Sequence, residues 1–215
     1  MTQTSKDLVE RTLNFENPDR VPRDLWFLPA VEMNQQDEKK QLLKRYPPDI
    51  QIPKYEFGTS AIQKESDLPN CYNTIMDKPK QGEKYIDEWG SVFYVAEDGV
   101  LGEVKEPAIS DWDELESFEP PWDYLESMDL SKVDKSCKES DKFILSGLCA
   151  HPFERLQYLR GSENLYKDLI RNRGEIEKLL EMIHEFNLTR IEMWLNTDVD
   201  AISMMDDWGD RKSVV

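Results

Sequence analysis

The chain has 215 residues, and its 27 Lys and Arg against 44 Asp and Glu give a formal net charge of −17. This acidic balance, with a sequence pI of about 4.6, excludes binding to nucleic acid or to an anionic membrane through bulk electrostatics, because either partner needs a basic surface. The mean hydropathy of −0.70 is polar for a globular protein, but six Trp and 10% aromatic residues are too many for a disordered chain. We expect a folded, soluble protein with one large domain or two small ones.

Targeting and disulfide patterns are also missing from the sequence. No stretch approaches the roughly 20 apolar residues of a membrane helix, and residues 1–10 lack the apolar part of a secretory signal. The three cysteines, Cys71, Cys137 and Cys149, are scattered and form no CxxC pair, which indicates neither a disulfide framework nor a zinc knuckle. We therefore expect a cytoplasmic protein with no membrane or nucleic-acid partner.

The first third of the chain predicts two helices and a strand. Apolar residues recur at helical spacing over residues 5–15, a helix that Ser5 would cap. The apolar run at residues 23–28 predicts a buried strand, and residues 36–45 predict a charged helix that ends before two prolines. Proline and glycine interrupt every pattern in residues 46–82, so no element is predicted there.

The middle of the chain predicts a β-hairpin followed by a connector. Residues 92–95 and 101–104 flank Glu97-Asp-Gly99, and Gly99 can adopt the positive φ that such a turn requires. Residues 110–129 are acidic and contain several aromatic residues. We interpret them as a surface connector with aromatic anchors, with a binding motif as the alternative.

The second half predicts alternating helices and strands. Helices are predicted at 130–140, 152–160, from 162 onward and at 174–196, and strands at 143–145 and 199–205. Strand, helix and strand at this spacing are typical of a βαβ unit. The fold should therefore be α/β with a parallel sheet.

Four segments carry a family resemblance, and they occur in the family's order between residues 5 and 209. They are Leu13-Asn-Phe-Glu-Asn-Pro-Asp-Arg-Val-Pro22, Asp87-Glu-Trp-Gly90, Pro152-Phe-Glu-Arg-Leu156 with Leu159-Arg-Gly161, and Asp206-Asp-Trp-Gly209. Together they resemble the uroporphyrinogen decarboxylase family, above all its branch that includes the cobalamin-dependent methyltransferases.

The resemblance implies a (β/α)₈ TIM barrel with its active site at the carboxyl ends of the strands. Such a barrel takes about 250 residues, so we expect residues 1–209 to be the N-terminal portion of an incomplete, C-terminally truncated barrel. Residues 210–215 do not continue the family's pattern. We interpret them as a tail that is not native to the protein.

The same template indicates the site residues. His151, Asp206 and Asp207 follow predicted strands and are the candidate catalytic residues, because a carboxylate pair at a strand end is costly unless a partner satisfies it. Tyr158 matches a tyrosine of the decarboxylases, although an inward-facing core tyrosine is the alternative. The candidate substrate-binding residues are Trp26, Glu154, Tyr158 and Trp208.

One departure from the family pattern decides between activities. Decarboxylases hold a polycarboxylate tetrapyrrole through an Arg-rich stretch after the first strand, but residues 26–33 contain no Arg here. We therefore expect the parent protein to be a methyltransferase that acts with a corrinoid protein on a small-molecule substrate. The alternatives are a uroporphyrinogen decarboxylase, a carboxy-lyase of porphyrin biosynthesis, and a non-catalytic barrel that only binds.

Metal ligands are the last point of comparison. The methyltransferases bind zinc through a His-x-Cys pair and a later Cys in the second half of the barrel, and Cys149-Ala-His151 is not that motif. Two candidate ligands do not make a zinc site. We expect no metal site and no bound cofactor in this chain, which would then be inactive alone. Zinc is expected only in a full-length parent that is a methyltransferase.

Overall fold

The computed structural model describes residues 3–71 and 78–206, which form two small sheets and the helices around them. The six strands in the described ranges are β1 (Ile50–Gln51), β2 (Lys84–Ile86), β3 (Val92–Tyr94), β4 (Glu103–Glu106), β5 (Phe143–Ala150) and β6 (Ala201–Met204). The α-helices there are α1 (Ser5–Leu13), α2 (Pro29–Asn34), α3 (Gln36–Arg45), α4 (Ala61–Glu65), α5 (Trp122–Glu126), α6 (Val133–Lys138), α7 (Pro152–Arg160), α8 (Ser162–Arg171) and α9 (Arg173–Leu195).

A parallel sheet in the order β1-β5-β6 is the framework of the fold. Ile50 pairs with Phe143, and Leu145 pairs with Ala201. Helices α7, α8 and α9 make the connection from β5 to β6, so the predicted βαβ unit is confirmed with three helices in its crossover. The predicted α/β fold class with a parallel sheet is confirmed.

The main core lies where α7, α8 and α9 pack together. The long helix α9 contributes Ile176, Leu179, Ile183 and Phe186, which are buried at helical spacing. Strand β5 is buried along most of its length, as expected for the central strand of a parallel sheet with both faces covered. Its carboxyl end is therefore enclosed by other parts of the protein and does not face bulk solvent.

The predicted hairpin is confirmed, and it belongs to a second, antiparallel sheet in the order β2-β3-β4. Strand β2 had no sequence signal. Gly99 has φ +75°, and a Cβ there would lie 2.4 Å from Cα of Ala30, so both the turn and the close approach of α2 require glycine. The hairpin is thereby fixed against the N-terminal part of the chain.

The predicted strand at residues 23–28 is wrong. That segment has no regular structure, and the side chain of Trp26 is 72% exposed. The place beside β5 is taken by β1, and the N–H of Asp49 donates to the carbonyl of Arg23 at 2.8 Å. An apolar run forms a strand only where an edge of the sheet is open to it.

Helix α1 also differs at both ends from the prediction. Its cap is Thr4, whose hydroxyl accepts from the N–H of Asp7, while the Ser5 hydroxyl donates to Asp49. The helix ends at Leu13, and Phe15 lies beyond it, 92% exposed with φ 58°.

Several predicted elements are confirmed. Helices α3 and α7 have the predicted bounds, and Gly161 ends α7 with φ +71°. The acidic connector contains a 3₁₀ turn (Trp112–Glu116) and α5, and its Trp112, Phe118 and Trp122 side chains pack against the core as anchors. Within the described ranges, no helix is long and apolar enough to cross a membrane.

Candidate functional site

His151 and Asp206 lie at the same edge of the parallel sheet, where β5 and β6 end. His151 directly follows β5 and is the N-cap residue of α7. The N–H of Met205 donates to the carbonyl of Ala150 at 3.2 Å, which brings the ends of the two strands together. This is the edge at which open α/β sheets and barrels place their ligands.

Asp206 joins the end of β6 to the start of α7. Its Oδ2 accepts from the N–H of Phe153 and its Oδ1 from the N–H of Glu154, both at 2.8 Å. First-turn amides have no partner within their own helix, and the positive end of the helix dipole favours a carboxylate there. The half-buried Glu154 thus contributes its backbone to the contact.

A buried ionic cluster lies immediately behind this edge, and we call Asp87, Glu88, His151 and Arg155 the Arg155 cluster. Arg155 is 2% exposed. Its Nη1 donates to Oδ2 of Asp87 at 2.5 Å and its Nη2 donates to Oε1 of Glu88 at 3.0 Å. The same Nη2 lies 3.1 Å from Nε2 of His151.

Two distant segments build the cluster. Helix α7 places His151, Arg155 and Tyr158 on one face, because positions four and seven residues apart lie above one another on a helix. The turn between β2 and β3 supplies Asp87 and Glu88, and Oδ1 of Asp87 accepts from the N–H groups of Trp89 (3.1 Å) and Ser91 (2.8 Å). The rings of Trp89 and Tyr158 lie 5.2 and 5.6 Å from the guanidinium carbon of Arg155.

One guanidinium therefore faces two carboxylates in the interior. Burial raises the pKa of Asp87 to about 6, against the charge of Arg155 and with the help of Glu88. Burial also opposes the charge on Arg155, but Glu88 and Asp87 outweigh it and raise the pKa of Arg155. The cluster holds its arginine charged, and it takes up a proton on Asp87 in mildly acidic solution.

His151 is neutral in this environment. It is 4% exposed, and burial, followed by the positive charges of Arg155 and Arg190, holds the pKa of His151 well below its ordinary value. A neutral imidazole offers one donor and one acceptor nitrogen.

Tyr55, Tyr124, Arg190 and Trp194 form a second group beside the cluster. The guanidinium of Arg190 lies 5.9 Å from the ring of Tyr124, and the Tyr55 ring meets Trp194 edge-on at 4.9 Å. A Cβ at Gly147 would lie 2.2 Å from the Tyr55 hydroxyl, so the glycine in β5 makes room for this tyrosine. Burial raises the pKa of both tyrosines, which are therefore un-ionised.

Cys149 and His151 do not form a zinc site with the other residues that the structure describes. Sγ of Cys149 donates to the Gly147 carbonyl at 3.1 Å, and burial raises the pKa of this thiol. A protonated, hydrogen-bonded thiol is a poor ligand and a poor nucleophile. Over residues 3–71 and 78–206, no group of three His, Cys, Asp or Glu side chains could hold a metal ion.

The predicted site residues fall into three sets. His151, Glu154, Tyr158 and Asp206 come together where β5 and β6 meet α7, and the Tyr158 ring packs edge-on against Phe93 at 5.2 Å. Trp26 lies on the surface and outside the Arg155 cluster. Asp207 and Trp208 lie outside the described residues.

Sequence reasoning missed Asp87, Glu88, Arg155 and Arg190 as site residues. The first three stand in the motifs that carried the family resemblance, but nothing in the sequence joins one motif to the other. Arg190 had a usable signal, because it continues the buried stripe of α9 between Phe186 and Trp194. A charged residue on such a stripe needs a buried partner.

Comparison with known proteins gives three findings. The model of the family described as uroporphyrinogen decarboxylase (URO-D) matches residues 87–213, more than half of the chain and all of the Arg155 cluster. No curated protein matches the chain.

A solved structure is also similar, that of a methyltransferase from Methanosarcina mazei. The TM-score is 0.58 at 14% sequence identity, over 95% of this chain and 59% of that one. At this identity the likeness shows a shared fold, and this chain spans 59% of the other's length. With the family match over the same α/β framework, these findings show that the chain belongs to the uroporphyrinogen decarboxylase family.

Proposed function

We propose that this chain is the N-terminal barrel portion of a methyltransferase that acts with a corrinoid protein on a small-molecule substrate. The observation that carries the proposal is that the Arg-rich stretch with which decarboxylases hold a polycarboxylate is missing. Residues 26–33 contain no Arg, and Arg155 is already held by Asp87 and Glu88. A porphyrinogen needs several bidentate arginine contacts to hold its carboxylates.

In this proposal the residues at the sheet edge form the wall of the substrate pocket. His151 supplies a polar contact, Glu154 and Tyr158 contribute from α7, and Asp206 contributes from just beyond the end of β6. Trp26, Asp207 and Trp208 are proposed as further pocket residues from the family template alone. Because the described residues do not fit zinc, the ligands of a zinc ion would come from a longer parent protein.

Decarboxylation of a porphyrinogen is the second candidate. The description of the matching family model and the presence of Tyr158 at a decarboxylase-like position support it. The reaction needs no metal, since the protonated pyrrole ring holds the electrons that the departing carbon dioxide leaves behind. We rank it second because of the missing arginines.

Binding calorimetry under anaerobic conditions tests the ranking. The chain is titrated with free methylcobalamin, as a stand-in for the protein-bound corrinoid, and in parallel with uroporphyrinogen. We expect saturable heat from methylcobalamin and none from uroporphyrinogen. Saturable binding or carbon dioxide release with uroporphyrinogen alone would reverse the ranking, and no binding of either would favour the non-catalytic alternative.

The two histidines provide matched variants for this experiment. His151→Ala should weaken methylcobalamin binding, because it removes the polar contact at the sheet edge. His184→Ala should not, since His184 is exposed on α9. Equal effects of the two changes would contradict the location of the site.

The cytoplasm is the proposed location. The three cysteines are free, and two of them, Cys71 and Cys149, are buried thiols. Free thiols persist in a reducing compartment.

A further inference from the structure

One ring nitrogen of His151 has no partner, although the residue is almost completely buried. Nδ1 is buried and makes no hydrogen bond with any residue that the structure describes, while Nε2 lies 3.1 Å from Nη2 of Arg155. Buried polar atoms in proteins are nearly always hydrogen-bonded. The exception therefore requires an explanation at a site where the sequence already predicted function.

The Arg155 contact determines which nitrogen of His151 carries the proton. A guanidinium can only donate, so Nε2 must accept and must be unprotonated. In a neutral imidazole the proton is then on Nδ1. Arg155 cannot easily turn away, because its Nη1 and the same Nη2 are also held by Asp87 and Glu88, which are fully buried.

The electrostatic environment indicates what kind of acceptor suits the Nδ1–H group. The guanidinium groups of Arg155 on α7 and Arg190 on α9 both disfavour an imidazolium at His151, while Asp87 and Glu88 in the same cluster pair with Arg155. Because Asp87 and Glu88 already offset the charge of Arg155, it is the charge of Arg190 that favours a negatively charged acceptor at this nitrogen. The two first-turn amides of α7, from Phe153 and Glu154, are already occupied by Asp206, so they cannot serve a phosphate.

We propose that Arg155 is a positioning residue that fixes His151 as a neutral Nδ1–H donor, and that this donor binds a carboxylate oxygen of the ligand. The inference deepens the proposed function, on which the identity of the site rests, but it holds for either reaction considered above. A single N–H donor suits one oxygen of a monoanion. A phosphate dianion needs several donors at once.

Nitrogen-15 NMR reads the proton position directly. The chain has two histidines, so a His184→Gln variant with labelled histidine reports on His151 alone. At neutral pH we expect the long-range proton–nitrogen spectrum to show a protonated Nδ1 and an unprotonated Nε2. The opposite tautomer, or a ring protonated on both nitrogens, would overturn the proposal without touching the methyltransferase assignment.

The role of Arg155 is tested by a pair of variants. Arg155→Met removes the donor to Nε2, so the two tautomers should become mixed, whereas Arg155→Lys keeps a donor and should retain more of the Nδ1–H form. Unchanged tautomers in a folded Arg155→Met protein would contradict the positioning role. Because this variant can fail to fold, the spectrum of the parent protein tests the tautomer by itself.

Acetate is the probe for the ligand. In the His184→Gln protein, sodium acetate should shift the Nδ1 signal in a saturable way, and sodium chloride and sodium phosphate at equal ionic strength should not. A His151→Phe variant of the unmodified chain serves as the calorimetric control, and it should lose the heat of acetate binding. An acetate effect no larger than that of chloride would overturn the carboxylate assignment, whatever methylcobalamin does.

Discussion

At the scale of single residues, the buried ionic contacts of Arg155 matter most for stability. Its guanidinium forms ion pairs with two carboxylates that are completely buried, and it also contacts a buried imidazole. Removal of one partner from a buried ion pair leaves a charge without compensation, and this costs more than the intact pair contributes. The cluster is thus a weak source of stability when whole and a large source of instability when broken.

We expect Arg155→Met to lower the free energy of unfolding by about 3–5 kcal/mol, because Asp87 and Glu88 would lose their counter-ion. Urea titration followed by tryptophan fluorescence measures the change. Arg173→Met is the matched control, since Arg173 makes only an exposed pair with Glu177 among the described residues. It should change the stability little. A loss of similar size in both variants would contradict the importance of the buried cluster.

Asp87 gives a pH dependence with a definite sign. The pKa of Asp87 is raised from 3.8 to about 6 by burial, so the folded state holds the proton more tightly than the unfolded chain does. The stabilisation from Asp87 is therefore complete below pH 3.8 and disappears as the pH rises through about 6. We expect the stability of the parent protein relative to Asp87→Asn to fall over this pH range, as measured by urea titrations.

Asp168 provides the opposite case. Burial alone would raise the pKa of Asp168, but hydrogen bonds from Asn172 and Arg160 lower it. The stabilisation from Asp168 is present above its unfolded pKa and is lost as the pH falls through its folded pKa. The stability of the parent protein relative to Asp168→Asn should thus rise with pH. If the stability of the parent protein relative to each variant changed with pH in the same direction for both, this assignment of signs would be wrong.

At the scale of elements, the start of α7 depends on a carboxylate from another strand. We expect Asp206→Asn to cost about 1 kcal/mol, because the new amide group can accept only one of the two first-turn N–H bonds. Hydrogen exchange should become faster at Phe153 and Glu154 in particular. Asp37→Asn, at the exposed first turn of α3, should leave those two amides unchanged. Protection that is unaltered in Asp206→Asn would show that α7 does not depend on this cap.

The elements that could be predicted are those whose ends are marked in the sequence. Helix α7 begins with Pro152 and ends at Gly161, and both marks act locally. The prediction of a strand at residues 23–28 is wrong because an apolar run does not reveal which segment pairs with β5. The two-residue strand β1 pairs with β5 instead, although the sequence of Ile50 and Gln51 shows no strand pattern.

The site was predictable only where it follows from the ends of strands. Asp206 could be found because it comes directly after a predicted strand, and His151 because it stands between a predicted strand and a predicted helix. The partners of Arg155 could not, because Asp87 lies 68 residues away along the chain and on a different sheet. Long-range contacts of this kind depend on how the two sheets pack, and the spacing of residues in the sequence does not predict that packing.

At the scale of the whole molecule, the net charge of −17 sets the response to salt. The folded chain brings an excess of carboxylates together, and their repulsion destabilises the compact state. Raising sodium chloride from about 0.01 M to about 0.15 M shortens the screening length from about 30 Å to about 8 Å. We therefore expect the urea midpoint to rise over this range. A fall in the urea midpoint would mean that the exposed ion pairs outweigh the repulsion. Sulfate salts should be avoided in this experiment, because sulfate stabilises proteins by being excluded from their surface.

The Arg155 cluster also constrains the order in which the chain folds. Its arginine is on a helix that can form locally, whereas its two acids arrive only when the β2–β3 turn docks from 68 residues away. Closing so long a loop is slow, and an α7 helix buried before that event would enclose a lone positive charge. Docking of the turn and burial of α7 must therefore be nearly simultaneous and late. Arg155→Met is accordingly expected to accelerate unfolding more than it slows folding, a difference that stopped-flow chevron plots resolve.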